Sequence, residues 1–100
     1  MQGLLMKRLS IVTVVMLLAA CAVKPPVQEM AEARSAIKSA QELDATSPKA
    51  KQALKSAEAS LKEAADAIDM EHYEKARRKA VAAKRDAQKA ARIQQALHAK

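Results

Sequence analysis

The 100-residue sequence predicts an all-α fold, an antiparallel helical hairpin or small three-helix bundle with alanine-rich seams. Three observations carry this. Alanine supplies 24 of the 50 residues counted as hydrophobic, and Lys, Glu and Gln, which also favour helix, are abundant. One Gly and three Pro leave too few turn residues for a sheet built from hairpins. Alanine and larger apolar residues recur at steps of three and four, which puts them on one face of a helix.

The chain opens with the layout of a secretory leader over residues 1–20. Lys7 and Arg8 give a positive start, Leu9 to Leu18 an apolar run, and Leu18-Ala19-Ala20-Cys21 a small-residue cleavage site. A membrane span needs about 20 apolar residues, and Pro25-Pro26 follows Cys21 too soon for that. Residues 21–27 read as a tether, because Pro25-Pro26 is stiff and lacks helix donors.

Residues 28–100 read as the helical domain. A first helix is expected over about 28–45, with Met30, Ala33, Ile37 and Ala40 on its inner stripe. Thr46-Ser47-Pro48 breaks it: Ser47 suits an N-cap and Pro48 the first position of a second helix, over about 48–69. The seam of that helix reads Ala50, Leu54, Ala57, Leu61, Ala64, Ile68. A third helix over about 72–98 carries a strict heptad seam of Tyr73, Ala76, Ala80, Ala83, Ala87, Ala90, Gln94 and Leu97. Between them the phase breaks, since Ile68 to Tyr73 is a step of five. A turn at 69–72 accounts for this, although no Gly or Pro marks it and one continuous helix is the alternative. With only 13 larger apolar side chains after residue 20, the chain needs either close helix packing or self-association to a homo-oligomer. Glu58/Lys62, Glu71/Lys75 and Glu74/Arg78 stand at i, i+4 and are expected to pair.

The Leu-Ala-Ala-Cys string resembles the bacterial lipobox. That resemblance implies cleavage before Cys21, a diacylglyceryl group on its thiol, acylation of the new amine, and membrane attachment through the lipidated residue. Two or three acyl chains anchor stably where one binds reversibly. Ala22 follows, where enterobacterial lipoproteins retained in the inner membrane carry Asp, so the analogy implies the bacterial outer membrane, facing the periplasm. Downstream, Ala33, Ala36 and Ala40, then Ser47-Pro48, Leu54, Ala57, Leu61 and Ala64, then Tyr73, Ala76, Ala80, Ala83 and Ala87 resemble a family of short bacterial lipoproteins. That family is built on an uncharacterised Ala-rich helical domain, also found ahead of OmpA-like domains. The resemblance implies an envelope location and a helical fold only, since the family has no established activity. Leu61 to Ala87 is also similar to a single tetratricopeptide unit, fewer than the about three a solenoid needs.

Charge is uneven. Residues 27–71 carry 6 basic and 9 acidic groups, whereas 72–100 carry 9 basic and 2 acidic. Arg78, Arg85 and Arg92 repeat every seven residues opposite the alanine seam, flanked by Lys75 and Lys89. These five are the candidate face for an anionic partner: phospholipid head groups, lipopolysaccharide phosphates, peptidoglycan carboxylates or an acidic envelope protein. Solvation and pairing with the acidic middle helix are the plainer account of the same charges. Nucleic acid is not an expected partner, because export removes it and this face has no aromatic to stack a base.

No catalytic residue is assigned. His72 and His98 are far apart and lack Cys partners, so no metal-site spacing exists. Ser47 has no His and acid arranged around it, and a single Gly rules out a phosphate loop, so no cofactor is implied. The function expected is a membrane-anchored, non-catalytic helical interaction or structural module. The alternative is a murein-lipoprotein-like tether joined to peptidoglycan through the C-terminal Lys100.

Overall fold

The computed structural model describes residues 24–99. Residues 1–20, expected as a leader, the lipidation candidate Cys21 and the attachment candidate Lys100 lie outside the described residues. Three helices follow one another: α1 (Val27–Glu42), α2 (Pro48–Asp69) and α3 (Tyr73–His98). Short connections fold them antiparallel to their neighbours in sequence. The fold is an all-α three-helix bundle. The chain does turn between residues 69 and 73 and does not continue as one helix. α3 packs along both other helices, while α1 and α2 meet each other far less.

The core is made of alanine. Of the 14 buried hydrophobic residues, all but Met30 and Ile37 are Ala. Ala33, Ile37, Ala57, Ala83 and Ala87 form its centre. Met30, Ala64 and Ala80 close one end, and Ala40, Ala53 and Ala90 the other. Methyl side chains bury little area each, but they let helix axes approach closely, so backbone and Cβ atoms supply the contacts that Leu would supply elsewhere.

On α1 the expected stripe is buried in full, and so are Ala76 to Gln94 of the α3 seam. The ends of that seam are not: Tyr73 is half-buried and Leu97 is 49% exposed. On α2 the expected seam is corrected. Ala50, Ala53, Ala57, Ala64 and Ala67 are buried, whereas Leu54, Leu61 and Ile68 are half-buried and flank the core. The face α2 gives to the core is therefore rotated towards its small residues, and the larger side chains roof the junction.

α1 ends at Glu42, three residues before the expected end, because Asp44 turns into the left-handed region (φ 50°) and its N–H returns to the Gln41 carbonyl at 3.2 Å. Ser47 caps α2 as expected, its Oγ accepting from Ala50 N at 3.5 Å, with Pro48 at the first position. At the far end of α2, His72 N donates to Ala67 O (2.8 Å) and Glu71 N to Ile68 O (2.9 Å). This is a Schellman closure. Glu71 occupies its left-handed position (φ 61°), where glycine is usual.

Candidate anionic-partner face

α3 carries eight described cations, and the packing of its neighbours sorts them into two groups. With the buried residues Ala76, Ala80, Ala83, Ala87, Ala90 and Gln94 as the inner a and d positions, Arg77 and Lys84 fall at e and Lys79 at g. Those positions border the neighbouring helices. Arg77 Nε lies 3.4 Å from Glu29 Oε1 and Lys84 Nζ 2.9 Å from Glu32 Oε2, both clamping α3 to α1. Lys79 Nζ lies 2.7 Å from Glu63 Oε2 and clamps α3 to α2. Asp86, also at g, accepts from Ser56 Oγ at 2.8 Å.

The other five are Lys75, Arg78, Arg85, Lys89 and Arg92, the residues singled out by the sequence. All are exposed, and none forms an ion pair among the described residues. Arg78, Arg85 and Arg92 occupy successive f positions about 10.5 Å apart, and Lys75 and Lys89 occupy c positions beside them. The helix thus presents a straight cationic stripe opposite its core. The acids within reach of α3 go to its flanks: α2 itself is charge-balanced, its Glu63 neutralises Lys79, and the outer face of α3 stays charged. Arg at such positions offers a planar fork suited to carboxylate or phosphate oxygens.

The flank pairs also tune their acids. Hydrogen bonding from Lys84, then from Gln28, with the Lys84 charge, holds the Glu32 carboxyl below its ordinary range. The Lys79 hydrogen bond and charge do the same for Glu63, with a smaller contribution from Lys75. None of the three expected i, i+4 pairs forms. Glu74 instead takes Arg77 one residue earlier at 2.7 Å, and Glu58 accepts from Gln41 Nε2 at 3.0 Å. Arg77, Lys79 and Lys84 were not singled out in the sequence. Their flanking heptad positions are the signal that points to them.

Gln94 is a second polar feature the sequence places only as a seam member. It is 2% exposed, and its Oε1 accepts from Thr46 N (3.1 Å) and Ser47 N (3.5 Å). Its Nε2 donates to Thr46 Oγ1 at 3.0 Å and sits 3.3 Å from His98 Nε2. This pins the α1–α2 connection to the C-terminal part of α3. His72 is exposed at the α2–α3 turn and its side chain makes no cap bond.

The furrow between α1 and α3, lined by Ala31, Ser35, Ala36, Ser39, Gln88 and Ala91, holds the Glu32–Lys84 pair as its charged groups. Among the described residues, no helix is long and apolar enough to cross a membrane. The chain matches no protein-family model, no curated protein and no solved structure.

Proposed function

We propose that the protein is a lipid-anchored module of the bacterial cell envelope, attached through Cys21 to the outer membrane and facing the periplasm. It works by binding, not by catalysis. Its contact surface is the outer stripe of α3, where Lys75, Arg78, Arg85, Lys89 and Arg92 meet an anionic envelope component or the acidic surface of an envelope protein. The observation that carries this reading is the sorting of α3's cations. Three pair with acids of α1 and α2, and five stand exposed on the outer side of α3 without a salt bridge among the described residues. Those five contribute repulsion to an isolated bundle, so their arrangement favours an external anion.

The test is cross-linking of the full chain in its own envelope, with Arg78, Arg85 and Arg92 changed together to Glu. The reversal is expected to abolish partner capture while the chain stays folded, and capture by the unaltered chain to weaken as salt is raised. Equal capture by both chains would contradict the assignment.

A further inference from the structure

Large apolar side chains exposed on the bundle are few: Val27 (66%), Met70 (65%) and Leu97 (49%). Two of the three lie at the same end. Val27 opens α1, one turn before Met30, which packs on Ala64 and Ala80 with Ile68 beside them. Met70 caps the C-terminus of α2 two residues after Ile68. At Met70 the chain enters the Schellman closure and holds Glu71 in the left-handed region, so the side chain of Met70 is left outside the core. Nothing in the bundle covers either residue.

The same end is where the tether arrives. Pro26 is buried and its carbonyl accepts from Met30 N at 3.0 Å, so the chain is fixed to the bundle from Pro26 onward. Only three residue steps separate Cys21 from Lys24, a reach of at most about 11 Å. An acylated Cys21 therefore holds this end of α1 close to the lipid head groups.

We infer that the bundle stands on the bilayer through this end, with Val27 and Met70 dipping into the head-group region. This rests on the lipid-anchor reading above. The contact is apolar and not electrostatic. The charged groups around it, Lys24, Lys75 and Arg77 against Glu29, Asp69, Glu71 and Glu74, give no cationic excess. α3 starts at this end and runs away from it, so the cationic stripe points across the periplasmic space and does not lie along the anchoring membrane.

The chain contains no Trp, so a single introduced one reports its own surroundings. The full chain carrying Met70→Trp, Val27→Trp or Ala96→Trp, expressed and processed in a bacterial host, is reconstituted from detergent into phosphatidylcholine vesicles containing lipids brominated near the head group. Ala96 is exposed at the far end of the stripe. Flotation with the vesicles reads the anchor separately. The expected result is flotation of all three, with Met70→Trp and Val27→Trp blue-shifted and losing most of their emission while Ala96→Trp keeps its own. Adding phosphatidylglycerol leaves that pattern unchanged. Flotation with all three unquenched would show the end standing clear of the bilayer and overturn the inference. Flotation with Ala96→Trp quenched as strongly as Met70→Trp would show the bundle lying on its flank, and would overturn it equally. Failure to float would remove the anchor reading itself and the inference with it.

Discussion

The two ends of the bundle close by the same backbone device and support it differently. At one end, residues 43–47 leave α1 through Asp44 in the left-handed region, and the connection is then held by Ser47 at the cap and by Gln94 reaching across from α3. At the other, residues 70–72 leave α2 through Glu71 in the same region, held by two backbone bonds and no side-chain cap. The first end is stapled by a distant residue. The second depends on local geometry and displays apolar side chains. A bundle with an alanine core needs a polar staple somewhere, since small side chains give little lateral specificity, and Gln94 supplies it where the connection is longer.

The sharpest way to break this contrast is Gln94→Leu. The substitution keeps volume but strips Thr46 N, Ser47 N and Thr46 Oγ1 of their partner. It is expected to cost about 1.5 kcal/mol in chemical denaturation, since Thr46 is exposed and water replaces part of what these groups lose. His72→Ala, at the unstapled end, is expected to change stability by less than about 0.5 kcal/mol. Ser47→Ala comes next, with a loss of about 1 kcal/mol from the orphaned Ala50 N–H. Glu71→Gly works in the opposite direction. It relieves the left-handed residue and is expected to stabilise by up to about 1 kcal/mol, while Asp44→Gly gains less because Asp tolerates that region better.

The smallest expected effect is a pH dependence through the flank pairs. Glu32 and Glu63 have carboxyls held below their unfolded range, so the unfolded chain binds protons there before the folded one does. Their stabilisation is complete above the unfolded carboxylate range and is lost as pH falls through the lowered folded values. Thermal melts of the unaltered chain and of Glu32→Gln/Glu63→Gln should therefore converge on acidification. A gap that widens in acid would contradict the pairing.

Much of this was legible in the sequence, for reasons that also explain what was not. The α1 stripe and the α3 seam are strict helical repeats, and Ser47-Pro48 is a strong start signal, so three helices and one break follow directly. The turn at 70–72 was marked only by the phase step from Ile68 to Tyr73, because Glu71 stands where Gly would have announced it. Hydropathy places the core face of α2 towards Leu54 and Leu61, because it ranks Leu above Ala, whereas close packing buries Ala53 and Ala67. Local spacing points to ion pairs at i, i+4, but Glu29, Glu32 and Glu63 bond across helices, which that spacing does not encode. The five exposed cations are legible because they lie opposite a seam that is itself unambiguous.

The claim on which the functional account depends is the anchor at Cys21. Intact-mass analysis of the mature protein taken from its native envelope tests it most directly. The account predicts a chain that begins at Cys21 and carries a diacylglyceryl thioether with an acylated amine. A chain that keeps residues 1–20 and an unmodified thiol would contradict it.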